Sequence, residues 1–329
     1  MLTRVAIIGC GAVAKAHVPT VKECKRSRLT VLCDVDVERA RALAQEHDVE
    51  HVLEDWNQVV GLADAAIVAL PHHLHARASI ELLKLGIHVL VEKPMGMSTV
   101  ECNLMNAAAA EGHAVLAVGL VSRWFGAARH VKRMLDSHLL GRIHHFDVRE
   151  GMVYSWPVTS DFLFRRAMGG GVLADLGAHV LDLLLYWLGD YESVDYYDDA
   201  AGGAESDCEL GLVMKSGAVG VVQLSRTRDL RNTWILEGDQ GTLEVMRRHD
   251  AELAWRVAGG DVVLDGSFRK DGRAEDPLEC FRLQWADFLD AIANRRLPFV
   301  SGVEGYRGVE LIERCRRGAK RRPHTWEWF

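Results

Sequence analysis

The chain has 329 residues, of which 49% are hydrophobic and 26% are charged, and its formal net charge at pH 7 is −7. These values are typical of a soluble globular protein with room for two domains, and the negative charge argues against a nucleic-acid-binding protein. Seven scattered cysteines without C-x-x-C spacing, no visible signal peptide and no long apolar segment lead us to expect reduced thiols, a cytoplasmic location and no membrane partner.

The chain begins with a predicted buried strand and a glycine-rich turn. Residues 5–8 form an apolar run, and residues 9–14, GCGAVA, fit the pattern G-x-G-x-x-G/A before a helical stretch. The first glycine permits a tight turn, the second lets the backbone approach a pyrophosphate, and the small third residue lets the helix pack on the strand. The first candidate cofactor-binding residues are therefore Gly9, Gly11, Ala12, Val13 and Ala14.

The next predicted strand, Leu29–Cys33, ends at Asp34. A carboxylate at this place accepts hydrogen bonds from a ribose 2′-hydroxyl and repels a 2′-phosphate. The glycine turn and Asp34 together predict a dinucleotide-binding domain and favour NAD over NADP.

Strands and helices go on alternating to about residue 120, which predicts a doubly wound parallel sheet. The further strands are predicted at Ala65–Leu70, Ile87–Val91 and Ala114–Val118, with helices near Val37–His47, Leu74–Leu85 and Thr99–Gly112. In such a sheet the ligand lies beyond the carboxyl ends of the strands. The loops at these ends add Leu70, Pro71, His72, His75, Glu92 and Lys93 to the candidate cofactor-binding residues.

Lys93 follows a predicted strand in the segment VEKPMG. An ammonium there lies beside the nicotinamide and the reacting oxygen, where it polarises a carbonyl or lowers the pKa of a hydroxyl, and Glu92 is placed to orient it. A solvated loop lysine is the alternative.

The segment Val172–Leu188, which follows three glycines, is apolar almost all round, as a buried helix is. Asp175, His179 and Asp182 interrupt it at i, i+4 and i+7, on one face. Because burying such groups unpaired costs several kcal/mol, this face should border a polar cavity or another charge. A histidine one turn from a carboxylate suits a general base with an orienting partner, and a structural His–Asp pair is the alternative.

From about residue 191 to 266 the pattern is that of an antiparallel sheet, and two helices close the chain. The predicted fold is therefore α/β. Residues 1–122 form an N-terminal Rossmann domain with a doubly wound parallel sheet, and residues 123–329 form a C-terminal α+β domain with a large open, mostly antiparallel sheet for substrate binding or oligomer contact.

Together these segments resemble the Gfo/Idh/MocA family of oxidoreductases, which act mainly on sugars, cyclitols and sugar nucleotides. The resemblance spans nearly the whole chain: residues 9–14 resemble the cofactor loop, 91–96 the E-K-P motif, 169–184 the G-G-G-x-x-x-D-x-G-x-H-x-x-D helix, and 296–313 the C-terminal segment. The chain departs from the pattern at His72, where relatives commonly carry asparagine.

The resemblance implies that Lys93, Asp175 and His179 are the catalytic residues of a reversible alcohol oxidation with NAD. His179 would take the hydroxyl proton, Asp175 would support its charge and orientation, and Lys93 would steady the developing alkoxide. In several relatives the lysine has the acid/base role instead, so the proton carrier stays open.

The candidate substrate-binding residues are Arg123, Tyr154, Trp156, Arg165, Asp175 and His179. Aromatic residues with arginines suit a sugar ring or an anionic group, and three arginines after a later strand (226, 228 and 231) suit a phosphate or a carboxylate. We expect no metal site, because the close histidines at 72, 73 and 75 have no evident carboxylate or cysteine beside them. The expected substrate is a sugar or sugar nucleotide, with a uronic acid as one candidate.

We therefore expect an NAD-dependent sugar dehydrogenase or ketoreductase that forms a homodimer or homotetramer. A cyclitol dehydrogenase such as an inositol dehydrogenase, and a catalytically silent NAD-binding regulator of the same fold, are the alternatives. The presence of Lys93, Asp175 and His179 together argues against the regulator.

Overall fold

The computed structural model describes residues 2–155, 160–200, 203–247, 253–259, 262–270, 273–274 and 276–321. Trp156, a candidate substrate-binding residue, lies outside the described residues. The helices are α1 (Ala14–Glu23), α2 (Val37–His47), α3 (His72–Lys84), α4 (Thr99–Glu111), α5 (Gly126–Asp136), α6 (Val172–Leu188), α7 (Pro277–Asn294) and α8 (Gly302–Arg317). Short 3₁₀ helices lie at Trp56–Val59, Val121–Trp124, Phe162–Phe164 and Arg166–Met168.

The strands fall into an N-terminal and a C-terminal group. The first group is β1 (Thr3–Ile8), β2 (Ser27–Cys33), β3 (His51–Leu53), β4 (Ala65–Val68), β5 (His88–Val91) and β6 (Leu116–Val118). The second group is β7 (Ile143–Gly151), β8 (Tyr191–Asp198), β9 (Asp207–Met214), β10 (Val219–Ser225), β11 (Thr233–Gly238), β12 (Gly241–Arg247), β13 (Leu253–Gly259), β14 (Val262–Lys270), β15 (Arg273–Ala274) and β16 (Lys320–Arg321).

The N-terminal sheet is parallel and has the strand order β3-β2-β1-β4-β5-β6, which confirms the predicted doubly wound sheet. The order reverses between β1 and β4, so the loops after these strands lie side by side. Gly9 shows how close they are: its φ is +100°, and a Cβ there would lie 2.3 Å from the Ala69 carbonyl oxygen. The first glycine of the turn is therefore required both by its backbone angle and by the neighbouring loop.

The C-terminal sheet is mixed and mostly antiparallel, as predicted. Its described strands have the order β15-β14-β13-β12-β11-β7-β10-β9-β8-β16, and β7 pairs with β10 in parallel. The apolar helix α6 packs against β9 and β10 in a core that also holds Phe146, Leu224 and Leu236. Among the described residues, no helix is long and apolar enough to span a bilayer.

The last two long helices return to the N-terminal sheet. On α7, Trp285, Phe288 and Leu289 share a core with Val5 and Ile7 of β1. Helix α8 packs against α4 and α6, so it contributes to the cores of both sheets. The domain boundary after residue 122 stays a prediction, and this packing shows that residues from the far end of the chain complete the N-terminal core.

Candidate active site

The glycine turn lies beside Asp34 at the carboxyl edge of the N-terminal sheet. Cys10 N–H donates to Asp34 Oδ2 at 2.8 Å, and Asp36 N–H donates to Oδ1 at 2.9 Å. Arg39 Nη1 lies 3.3 Å from Asp34 Oδ2. Helix α1 begins at Ala14 with no side-chain cap and no acidic residue in its first turn. The positive end of the helix dipole therefore suits phosphate oxygens, and the residues present fit a dinucleotide with its ribose at Asp34.

The beginning of α3 lies between two other loops of this edge. The His75 ring nitrogens face the Pro94 carbonyl oxygen at 2.8 Å (Nδ1) and the Leu70 carbonyl oxygen at 2.7 Å (Nε2). Burial lowers the pKa of His75, whereas its contacts with the two carbonyl oxygens raise it, and a neutral ring donates to only one of these carbonyls. We interpret His75 as a residue that holds the loops in place.

His72 links α3 to the glycine stretch before α6. Its Nδ1–H donates to the Gly169 carbonyl at 2.9 Å, and its ring packs edge-on against Phe162. Burial, reinforced by the charge of Lys93, lowers the pKa of His72 to about 3, so the ring is neutral near pH 7. Gly169 accommodates this approach because a Cβ there would lie 2.7 Å from the His72 Cβ.

Glu92 pairs with a residue that the sequence analysis did not select. Its Oε1 lies 2.7 Å from His17 Nε2 on α1, and both side chains are buried. Burial raises the pKa of Glu92, but the hydrogen bond and charge of His17, with Lys93 and His179, lower it overall. The pair joins the helix of the glycine turn to the loop that carries Lys93. A polar residue on the buried face of α1 was the available sequence signal.

Lys93, which follows β5 of the N-terminal sheet, binds Asp175 of α6, which packs on the C-terminal sheet. Lys93 Nζ donates to Asp175 Oδ1 at 2.7 Å and to the Asp175 carbonyl at 3.0 Å. Burial disfavours the charged carboxylate, but Lys93, and then Arg226, lower the pKa of Asp175 to about 2. His179 lies one turn further along α6, half-buried, and close enough to help lower the pKa of Glu92.

Helix α6 is held at its beginning by a residue distant in sequence. The Glu205 carbonyl accepts from Val172 N–H at 2.9 Å, and Glu205 Oε1 accepts from Leu173 N–H at 3.2 Å. Gly171, with φ +114°, permits this approach because a Cβ would lie 2.1 Å from Glu205 Oε1. Glu205 thus satisfies two amides of the helix that presents Asp175.

The structure places Tyr154 near this group, and Arg226 lies between them. The Arg226 guanidinium lies 5.4 Å from the centre of the Tyr154 ring, and its Nη2 lies 3.6 Å from Asp175 Oδ2. Arg165, in contrast, is exposed and pairs with Asp161.

Arg123 is placed differently from the expectation that it contacts substrate. It is 2% exposed, and its Nε and Nη2 donate to the two oxygens of Asp182 at 2.8 and 2.7 Å. Glu304 of α8 accepts a further hydrogen bond from Nη2 at 2.5 Å. The two carboxylates bind this guanidinium within the protein, so Asp182 faces a buried charge and Arg123 joins α6 to α8.

Two family models match the chain. The oxidoreductase family with an NAD-binding Rossmann fold matches residues 3–120, and the GFO/IDH/MocA C-terminal domain matches residues 128–244. The fold and the site therefore define an oxidoreductase that binds NAD through its Rossmann domain. The chain belongs to the Gfo/Idh/MocA family, which confirms the resemblance seen in its motifs.

Relatives match over most of the chain. It is 24% identical to levoglucosan dehydrogenase of Pseudarthrobacter phenanthrenivorans, with 86% of this chain and 85% of that protein covered. It is 25% identical to D-apiose dehydrogenase of Paraburkholderia graminis, with 94% and 85% covered. A solved levoglucosan dehydrogenase in complex with NADH and levoglucosan has the same fold, with a TM-score of 0.85, 21% identity, and 97% and 98% of the two chains covered.

Proposed function

We propose that this enzyme transfers a hydride between NAD and a secondary alcohol or ketone of a sugar or sugar nucleotide. The observation that carries the proposal is the pairing of Lys93 Nζ with Asp175 Oδ1 at 2.7 Å, at the carboxyl edge of the NAD-binding sheet. The names of the relatives, which include levoglucosan and D-apiose dehydrogenases, support a carbohydrate substrate.

Lys93 is the group that holds the reacting oxygen. An ammonium has three donors, and Asp175 accepts from Lys93 at 2.7 and 3.0 Å through its side chain and main chain. The remaining N–H is available to the substrate oxygen, and its positive charge stabilises an alkoxide as it forms. Asp175 fixes the direction of that donor.

His179 and Lys93 are the two candidates for the proton carrier. Asp175 is a weaker candidate for this role near neutral pH, because Lys93 and Arg226 outweigh burial and lower its pKa to about 2. His179 follows Asp175 by one turn on the same face of α6, where it takes the hydroxyl proton in our proposal. When bound, NAD supplies the hydride-accepting nicotinamide, and the protein supplies orientation and charge.

The experiment that tests the proposal is absorbance at 340 nm with purified protein, NAD and separate panels of free sugars, cyclitols and sugar nucleotides. The reverse reaction is run with NADH and the corresponding keto-sugars. We expect a signal with one carbohydrate class that disappears in Lys93→Met, while NADH binding is nearly unchanged. Lys84→Met, at an exposed lysine, is the matched control.

Each outcome has a defined meaning. A signal with cyclitols alone would show that the substrate is a cyclitol and not a sugar. Silence in both directions, with NADH binding intact, favours the silent regulator over the enzyme. Turnover that persists in Lys93→Met contradicts the role given to Lys93.

A further inference from the structure

Arg226 is a buried cation beside the Lys93–Asp175 pair. It directly follows β10, is 7% exposed, and donates from Nη1 to the Leu163 carbonyl at 3.1 Å. Its Nη2 lies 3.6 Å from Asp175 Oδ2, beyond hydrogen-bond distance. The aromatic rings of Tyr154 and Phe164 lie 5.4 and 5.8 Å from the guanidinium carbon. This environment removes the guanidinium from water and fixes it toward the site.

The other arginines of the segment are placed differently. Arg228 pairs with Asp207 at 3.4 Å, and Arg231 pairs with Asp147 at 2.9 Å, and both are partly exposed. Arg226 is therefore the member of this group that faces the proposed reaction site.

The edge of the guanidinium formed by Nε and Nη2 makes no hydrogen bond within the described structure, and both atoms are buried. Arg123 shows what the same edge does elsewhere in this protein, because its Nε and Nη2 bind the two oxygens of Asp182 at 2.8 and 2.7 Å. Buried guanidinium donors are costly to leave unpaired, so the Arg226 edge requires an acceptor.

The local charges indicate which acceptor. Lys93 and Arg226 share one carboxylate, Asp175, whose short hydrogen bond is to Lys93. His72 is neutral at pH 7, because burial lowers its pKa to about 3. The Nε and Nη2 atoms of Arg226 make no hydrogen bond to the Asp175 carboxylate. A single carboxylate matches the positive charge of the guanidinium and the two parallel donors of its edge.

We propose that Arg226 binds a carboxylate of the substrate through Nε and Nη2, so that the preferred substrate is an acidic sugar. That the ligand is a sugar rests on the proposed function. That it carries an acidic group rests on the environment of Arg226. The Tyr154 hydroxyl, which is buried without a hydrogen-bond partner among the described residues, is a further donor in the same region.

The experiment compares acids with their uncharged amides in the NADH-bound protein by calorimetry. The probes are D-glucuronate with D-glucuronamide, D-galacturonate with D-galacturonamide, and D-gluconate with D-gluconamide. We expect at least one acid to bind about tenfold or more tightly than its amide in the wild type. Arg226→Gln removes most of this ratio, and Arg226→Lys, which keeps the charge but not the two-donor edge, retains part of it.

Arg228→Gln is the matched control, and it should keep the full ratio. Melting temperature and NADH affinity show whether Arg226→Gln is folded, and Arg226→Lys replaces it in the comparison if it is not. Three results overturn the proposal: equal binding of acids and amides, no binding of any acid, or a ratio that survives in Arg226→Gln. D-Glucose 6-phosphate is a further probe, and if it binds more tightly than every acid, a phosphate replaces the carboxylate.

The design separates this inference from the proposed function. The binding ratio does not depend on turnover, so it can be lost while the 340 nm assay still detects oxidation of a neutral sugar. Conversely, a protein that binds acids through Arg226 but converts no carbohydrate in either direction contradicts the proposed function and leaves the anion site in place.

Discussion

Lys93 binds Asp175 twice, through the carboxylate at 2.7 Å and through the main-chain carbonyl at 3.0 Å. The carbonyl contact does not depend on the Asp175 side chain, so the lysine keeps one of its two acceptors when the carboxylate is changed. This relationship makes the charge of Asp175 separable from the position of Lys93.

Asp175→Asn is expected to lower kcat by about 10²–10³, because the amide removes the negative charge that orients the stabilising ammonium of Lys93. The affinity for NADH should change by less than about threefold, which is small beside the expected loss of kcat. Steady-state kinetics and NADH titration measure the two quantities. Asp195→Asn, at an exposed carboxylate, serves as control, and a kcat within about threefold of the wild type would contradict the role of Asp175.

Removing one member of the buried His17–Glu92 pair should destabilise the fold. We expect Glu92→Ala to lower the free energy of unfolding by about 3–5 kcal/mol, because it leaves a buried partner uncompensated. Glu92→Gln should cost less, since its amide oxygen still accepts from His17. Urea unfolding of Glu92→Ala, His17→Ala and the double variant measures the coupling, expected at about 0.5–3 kcal/mol. Additive single effects would show that the two residues do not interact.

His72 should make stability depend on pH. Burial lowers its pKa from 6.5 to about 3, so between these values the unfolded chain binds a proton that the folded protein does not. This contribution to stability is complete above pH 6.5, and it falls by up to about 1.4 kcal/mol per pH unit as the pH decreases toward 3. Urea unfolding between pH 6.5 and 5 gives the slope of unfolding free energy against pH. His72→Asn should reduce this slope by up to about 1.4 kcal/mol per pH unit, which corresponds to one proton. The exposed His144→Asn should leave it unchanged, and an equal slope in both variants would refute the assignment.

Arg123→Met should affect stability rather than substrate affinity. The guanidinium binds two carboxylates inside the protein, so its loss should cost about 3–5 kcal/mol of unfolding free energy. Arg165→Gln, at an exposed residue, should change it by less than about 0.5 kcal/mol. Urea unfolding and KM are compared for both variants. A raised KM with unchanged stability in Arg123→Met would contradict this structural role. It would support the substrate-binding role that was expected from the sequence.

Gly171→Ala should destabilise the protein by about 2–4 kcal/mol, because the added Cβ meets Glu205 at a positive φ. Gly217→Ala is a matched control, since Gly217 also has a positive φ but has no atom within 4 Å of a Cβ. The control should cost only the backbone term, about 1–2 kcal/mol. Chemical unfolding measures both, and equal losses would show that the approach of Glu205 is not constraining.

Features that depend on short stretches could be predicted from the sequence alone. The glycine turn at 9–14 and the alternating strands and helices to residue 120 predicted the parallel sheet and the NAD-binding domain, and both are confirmed. Hydrophobic periodicity and turn chemistry are local properties, so they can be detected without knowing what a segment contacts. The same local spacing put Asp175 and His179 on one face of α6.

Which buried charges meet depends on how distant segments pack in three dimensions. Arg123 was expected to contact substrate and Asp182 to lie on the polar face of α6, yet the two pair across 59 positions of the chain. His17 meets Glu92 from 75 positions away, and Arg226 is separated in its contacts from the two neighbouring arginines, which pair elsewhere. A buried charge is stabilised by whichever opposite charge the packing of separate elements brings to it, and no local periodicity encodes that choice.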